Sequence, residues 1–406
     1  MPLLRNIGLL LQCRADGAQD DVHPIPRAAL AWSRDRIDWV GPEAELPERF
    51  HEWPSEDAGS RLVIPGLVDC HTHLAFGGWR ADEFEQRIKG ATYQEIAARG
   101  GGILSTVART RGLNKAALQF RSREFLRGMA SLGVTTVECK TGYGLEPATE
   151  LRLLEVYAAL EREGPLRIVP TLLAAHTTPP EYRERRDDYV TLVTDAIIPA
   201  ARGSARFCDV FVEKGAFTID EARRILNAGL DAGLRPKLHA DQLTSGGGAE
   251  LAAEVGAASA DHLEHISSAG IDAMAAAGVV AVSLPIASLY LSQPPPPARR
   301  LIQAGVPVAV ATDFNPGSAP SYHLPLALTL ACTAQRMTPA EALKGATVIA
   351  ARAVGMEAVC GSLEPGKAAD FAIIDAPDVN HWLYHFRANA CVRTFARGQT
   401  IWTCNH

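Results

Sequence analysis

The sequence predicts an α/β protein: a (β/α)8 TIM-like barrel with a small β-sandwich domain built from both chain termini. Three observations carry this. Between residues 62 and 358, eight short apolar runs alternate with stretches rich in Ala, Leu, Glu and Arg. The runs are apolar almost throughout, as expected of parallel strands covered by helices on both faces. The two ends of the chain read instead as short strands broken by turn residues, and neither end can bury a sheet alone. The expected division is 1–61 and 359–406 for the small β-domain and 62–358 for the barrel.

In chain order, the first strands lie in "LLRNIGLLLQC" and "AALAWSRDRIDWVG". The barrel runs follow: "RLVIPGLVDCHTH", "VTTVECKTG", "RIVPTLLAAH", "FCDVFVEKG", "RPKLHAD", "SADHLEH", "GVVAVSLP" and "PVAVATDFN". Helices between them include "ATELRLLEVYAALERE" and "IDEARRILNAGLDAG". In the second, Asp220 is a candidate cap and Gly233 a candidate stop. Pro294–Pro297 form a stiff extended segment, read as a loop wall. The last strands lie in "ADFAIIDA" and "ACVRTFARGQTIW".

The 406 residues are 47% hydrophobic and 21% charged, which is ordinary for a soluble globular protein, and the net charge of −6 disfavours nucleic acid or an anionic membrane as partner. No apolar run approaches the roughly 18 residues of a membrane span. Leu3–Leu11 is too short for a secretory signal and lacks a small-residue cleavage site after it. The eight cysteines are scattered with no CxxC pair, so reduced thiols and a cytoplasmic location are expected. Cys70 sits beside a histidine pair but points to the opposite strand face, and reads as core packing.

The polar residues at the ends of these runs are informative. The first run ends in His71 and His73, the third in His176, and the fifth in His239 and Asp241. The sixth ends in His262, and the eighth in Asp313 and Asn315. Strand C-terminal ends of such a barrel converge on one mouth, where the active site lies. His71 and His73 share a strand face because side chains alternate with period two. With His239 and Asp313 they form a candidate metal site of nitrogen and oxygen ligands, suited to Zn²⁺ with Fe²⁺ or Fe³⁺ as the alternative. A lone strand histidine more often packs in a core; four such candidates at strand ends reverse that reading. A metal there acidifies bound water. Asp313 is the candidate base for that water, and His262 the candidate partner of the water or of a substrate carbonyl.

The rest of the mouth suits an organic anion. Arg80 follows the histidine pair in a glycine-containing loop and can grip a carboxylate with two parallel hydrogen bonds. Tyr143 in "KTGYGLE" lies between glycines that let a ligand approach closely; Tyr93 in "GATYQEI" is a weaker candidate. Asn315, Gly317 and Ser318 in "DFNPGS" offer an amide, a backbone N–H and a hydroxyl, although N-P-G is also plain turn chemistry.

These residues resemble the amidohydrolase superfamily and, within it, the imidazolonepropionase family. The resemblance spans almost the whole chain through "GLVDCHTHLAFGG", "EFEQRIKGATYQEIAARGGGILSTV", "KTGYGLE", "LAAHTTP", "KLHADQLTSGGGAELAAEVGAASADHLEH", "ATDFNPGS" and "GSLEPGKAADFAI". It implies hydrolysis of the cyclic amide of 4-imidazolone-5-propanoate to N-formimidoyl-L-glutamate in histidine degradation. It implies the ligands His71, His73, His239 and Asp313, and substrate contacts from Arg80, Tyr143, His176, Asn315, Gly317 and Ser318. Some superfamily members hold a second metal through a carboxylated lysine; Lys140 and Lys214 are the candidates here, but the family pattern has one metal, so one is expected. Where some members carry a glutamate, this chain has Gln242. An amide is no base, so Gln242 is read as positioning the ring. Ile286 stands where the family often has glycine.

The alternative is a deaminase of a heterocycle such as a nucleobase, which uses the same site but needs no anion-gripping Arg80. A catalytically silent scaffold would have broken the ligand set, and all four ligands are present. The expected partner is a small anionic substrate, with no nucleic acid, no membrane and a possible homodimer.

Overall fold

The computed structural model describes residues 2–91, 95, 101–385 and 387–404. Sixteen strands among these residues form two sheets of eight. The barrel sheet comprises β6 (Leu67–Asp69), β7 (Val134–Lys140), β8 (Arg167–Ala175), β9 (Phe207–Val212), β10 (Arg235–Ala240), β11 (Ser259–His262), β12 (Val280–Ser283) and β13 (Val308–Val310). These pair in sequence order, all parallel, from β6 to β13. The ring is completed at the mouth by a parallel bridge between Thr72 and Phe314. His71 and His73 are held there against Asp313, whose N–H donates to the His71 carbonyl at 3.1 Å; the His73 N–H donates to the Phe314 carbonyl at 2.8 Å. All eight sequence-predicted runs supply a barrel strand.

The second sheet joins both ends of the chain. It contains β1 (Leu3–Leu11), β2 (Pro24–Ser33), β3 (Arg36–Pro42), β4 (Ser55–Asp57), β5 (Leu62–Pro65), β14 (Phe371–Ile374), β15 (Cys391–Ala396) and β16 (Gln399–Thr403). Its order is β16-β15-β14-β5-β1-β2-β3, with β4 on the side of β1. Trp32 on β2 meets Phe395 on β15 at 5.7 Å between ring centroids, although β14, β5 and β1 lie between those strands. The sheet therefore curls on itself, and Trp32, Phe371 and Phe395 form its inner core.

Two local expectations are corrected. The run from Arg61 to His73 is not one strand. Leu62–Pro65 pairs with β1 and β14 in the terminal sheet, and only Leu67–Asp69 enters the barrel. The break falls at Pro65-Gly66. Proline has no N–H for a ladder, and Gly66 packs so closely on Thr135 that a Cβ would meet its hydroxyl at 2.3 Å. In the helix Ile219–Asp231, the cap is Thr218 rather than Asp220. The Thr218 hydroxyl accepts from the Glu221 N–H, and the Glu221 carboxylate accepts from the Thr218 N–H, a reciprocal capping box. Asp220 instead pairs with Arg223 at 2.6 Å. Gly233, with φ 83°, follows the helix end as expected. After β12, Pro285–Leu291 form a short helix with Ile286 buried. No helix among the described residues is long and apolar enough to cross a membrane.

Candidate active site

The strand ends bend sharply at the mouth. Asp241, His262, Leu263 and Asp313 all have positive φ, between 50° and 81°, a backbone state uncommon for residues with side chains. Phe314 fixes the last of these bends. Its ring sits 5.0 Å from Phe125, 5.3 Å from Tyr322 and 5.7 Å from Phe76, so Asp313 is anchored by an aromatic cluster.

Three imidazoles and one carboxylate converge at the mouth, all 0–3% exposed. His71 Nε2 lies 3.4 Å from Asp313 Oδ1, His73 Nε2 lies 3.5 Å from the same oxygen, and His239 Nε2 lies 3.4 Å from His73 Nε2. Neighbouring ligands of a cation with bonds of about 2.0–2.1 Å are separated by about 3.4 Å, so these three contacts suit a divalent cation; ligand atoms of His71, His73 and Asp313, and of His71, His239 and His262, each gather within 4.8 Å. His71 Nε2 is moreover buried with no hydrogen-bond partner, an atom that a cation would satisfy. His73 Nδ1 is likewise buried without a partner, whereas the opposite nitrogens of the other two rings are committed. His71 Nδ1 donates to Asp261 at 2.6 Å, and His239 Nδ1 donates to Asp209 at 3.1 Å. Those bonds set the tautomers that turn both Nε2 lone pairs inward.

Electrostatics favour the ligating forms. Burial pushes the His239 imidazole down to about 3 and holds His73 below its ordinary value. Burial would raise Asp313, but the imidazoles of His71 and His73 beside it outweigh burial and hold the carboxyl well below the usual range. Burial and Lys140 push His71 down, yet Asp261 and Asp313 outweigh them and the net shift is upward. A cation at this point would displace that proton.

The residues predicted to contact substrate or take part in catalysis lie around this cluster. His176 stacks on His73 at 5.0 Å and donates from Nδ1 to the Gly142 carbonyl at 3.1 Å. Tyr143 is buried, 5.8 Å from His73 and 5.5 Å from His176 between centroids. His262 lies 5.4 Å from His239 and 5.6 Å from His71, with Nδ1 3.7 Å from Glu264. Arg80 lies against Gly317, where a Cβ would meet its guanidinium at 2.3 Å, and pairs with Glu83 at 3.1 Å. Gln242 is buried just beyond β10. Tyr93 lies outside the described residues.

The "DFNPGS" loop uses its polar groups on itself. Asn315 Oδ1 accepts from the N–H groups of Gly317 and Ser318, and Asn315 Nδ2 donates to the Asp313 carbonyl and to Ser318 Oγ. Ser318 Oγ in turn donates to Asp313 Oδ2 at 3.3 Å. Asp241 is no ligand: its carboxylate accepts from the four N–H groups of Gly246 to Ala249 and shapes the loop after β10.

Residues 62–401 match the family model described as the amidohydrolase family. The imidazolonepropionase of Symbiobacterium thermophilum is 48% identical over 388 residues, covering 94% of this chain and 91% of that protein. The imidazolonepropionase of Myxococcus xanthus is 47% identical over 391 residues, covering 94% and 93%. This chain belongs to the imidazolonepropionase family of amidohydrolases. A solved atrazine chlorohydrolase from Arthrobacter aurescens, complexed with zinc, superposes with a TM-score of 0.72 at 18% identity, covering 98% of this chain and 95% of that one. At that identity the likeness speaks for the amidohydrolase fold alone.

Against that family background, the lysines are informative. Lys140 is wholly buried, and its Nζ lies 2.6 Å from Asp209, 2.9 Å from Glu138 and 3.4 Å from Asp261. Burial would strip its proton, but the three carboxylates outweigh burial and hold it as an ammonium. Carboxylation needs a neutral, accessible amine, and Lys140 Nζ is instead engaged by three carboxylates, in keeping with a single-metal site. Lys214 is exposed. Sequence reasoning missed Glu138, Asp209, Lys237 and Asp261 beneath the mouth, and Glu264 beside His262. It also missed Glu150, whose carboxylate accepts from the N–H groups of Gly142, Gly144 and Leu145. A signal was present: Glu138 and Lys140, or Lys237 and His239, are two apart inside apolar strands, which puts charge on the barrel's inner face.

Proposed function

We infer that this protein hydrolyses the ring amide of 4-imidazolone-5-propanoate, giving N-formimidoyl-L-glutamate. The observation that carries this is the clustering of His71, His73, His239 and Asp313, with successive atoms 3.4–3.5 Å apart, at a mouth where Arg80 lies against Gly317. The family relationship supports the same reaction. A divalent ion, Zn²⁺ on this donor set with iron as the competitor, acidifies water and polarises the carbonyl when bound.

The remaining chemistry belongs to the chain's own groups. Arg80 holds the propanoate by charge-assisted hydrogen bonds and so fixes which ring atom faces Asp313. Asp313 accepts the proton of the attacking water. His262 donates to the carbonyl oxygen, where charge develops as water adds. The C–N bond then breaks, and Asp313 returns the proton to the departing ring nitrogen. Gln242 hydrogen-bonds a ring nitrogen without exchanging protons. Tyr143 and His176 flank the ring. Asn315, Gly317 and Ser318 form the loop on which Arg80 rests.

The test is to load the protein with Zn²⁺, supply imidazolone propanoate, and follow both N-formimidoyl-L-glutamate and ammonia. Ring-opened product without ammonia is expected, abolished by chelation and restored by Zn²⁺. Ammonia release with the ring intact would replace this reading by a deaminase.

A further inference from the structure

Directly under the mouth, the barrel interior holds a dry ionic cluster. Glu138, Lys140, Lys237 and Asp261 are wholly buried, and Asp209 is 1% exposed. Burying five formal charges is costly, several kcal/mol per ion before pairing, so an arrangement like this persists only if its geometry is closely satisfied. It is satisfied around Lys140. Its three ammonium hydrogens match three carboxylates: Asp209 Oδ2 at 2.6 Å, Glu138 Oε1 at 2.9 Å and Asp261 Oδ2 at 3.4 Å. Thr171 Oγ1 donates to Glu138 at 2.6 Å, and Ser259 Oγ donates to Asp261 at 2.5 Å.

Two of those carboxylates are the ones that hold the histidines. The same Asp261 Oδ2 accepts from His71 Nδ1, and the other oxygen of Asp209 accepts from His239 Nδ1. One ammonium thus pins two aspartates, and each aspartate pins one imidazole. Lys237 is placed differently. Its Nζ is 3.3 Å from the Cys70 carbonyl, 3.4 Å from Glu138 and 3.8 Å from Asp261, it makes no ion pair with its ladder neighbour Asp209, and it lies 5.5 Å from the centre of the Phe207 ring. The cluster carries three carboxylates against two ammonium groups, leaving one negative charge that favours a cation above it.

We propose that Lys140 is a positioning residue for the metal centre, acting through Asp261 on His71 and through Asp209 on His239. This rests on the reading of those histidines as metal ligands. Without the ammonium, Asp209 and Asp261 repel each other across the vacated space and both imidazoles lose their fixed orientation. Lys140 then contributes to cation affinity without touching the cation, and Lys237 contributes much less.

The experiment uses full-length, metal-free protein titrated with Zn²⁺ against a chromogenic chelator, with Co²⁺ absorption reporting ligand geometry. The variants are Lys140→Met, Lys237→Met and the double variant Glu138→Gln/Lys140→Met. The double variant keeps the cluster's net charge and guards against Lys140→Met failing to fold. Loss of an outer-shell partner costs about 10–100-fold in metal affinity. That loss, with an altered Co²⁺ spectrum, is expected for both variants lacking Lys140, and at most about 3-fold for Lys237→Met. Zn²⁺ affinity and Co²⁺ spectrum unchanged without Lys140, while the original protein binds tightly, would overturn the proposal and leave the metal reading standing. Equal losses in Lys140→Met and Lys237→Met would also overturn it, since a merely structural cluster predicts that. Failure of the original protein to bind Zn²⁺ would remove both.

Discussion

The guanidinium of Arg80 rests on Gly317, so closely that the space a Cβ would occupy is taken by Nη2 at 2.3 Å. Two segments more than two hundred residues apart are thereby locked into one wall of the mouth. Gly317→Ala should push Arg80 aside. It should raise KM for the propanoate substrate with a smaller change in kcat, measurable by steady-state kinetics. A KM equal to that of the unaltered protein would show that Arg80 does not hold the substrate from this position.

Arg80→Ala removes the grip itself. A charged hydrogen-bonded contact contributes about 1.5–3 kcal/mol, so KM should rise about 10–100-fold with kcat nearly kept, because the carboxylate is held equally before and during reaction. A drop in kcat alone would instead place Arg80 in transition-state stabilisation.

His239→Ala deletes one of four converging ligand atoms. Metal analysis of the purified variant should find almost no bound divalent ion, and activity should be lost with it. The fold should survive, because the terminal sheet and the helical shell do not depend on this ring. Full occupancy in the variant would refute the ligand assignment.

Gln242→Glu tests positioning against proton transfer. An amide that only orients the ring can be replaced by a carboxylate of the same shape, so kcat should stay within about tenfold. Complete loss would show that the amide N–H is required as a donor.

Glu341 permits a test of stability away from the site. It accepts from the Thr338 N–H at 2.6 Å and pairs with Arg299 at 2.8 Å. Burial would raise its carboxyl, but Arg299 and the Thr338 N–H outweigh burial and hold it below the ordinary glutamate value. The unfolded chain therefore takes up a proton first on acidification. The stabilisation is complete above the ordinary glutamate value and is lost as pH falls through the lower folded value. Glu341→Gln should cost about 1 kcal/mol at neutral pH. That cost should fade in acid, as read from denaturant midpoints measured across the pH range.

Much of the site was legible because chemistry and period coincide. His71 and His73, two apart at the end of an apolar run, must share a face, and barrel topology then requires His239, His262 and Asp313 to meet them. The Pro65-Gly66 break was harder to read. Both halves of that run are apolar, and only pairing with β1 and β14 separates Leu62–Pro65 from the barrel. The cap at Thr218 was missed for a similar reason, since Asp220 is equally suitable by residue type and only backbone direction selects between them.

The residue sequence alone determined the alternation of strands and helices, the four side chains proposed as ligands and the family, because hydrophobic period and residue chemistry are local properties. Tertiary structure alone decided which nitrogen of His71 and of His239 faces the centre. That choice depends on Asp209 and Asp261, which reach the imidazoles from other strands, and on Lys140, which binds both aspartates at once. A tautomer is set by whatever sits on the far side of the ring, and only the closed barrel brings those partners within hydrogen-bond distance.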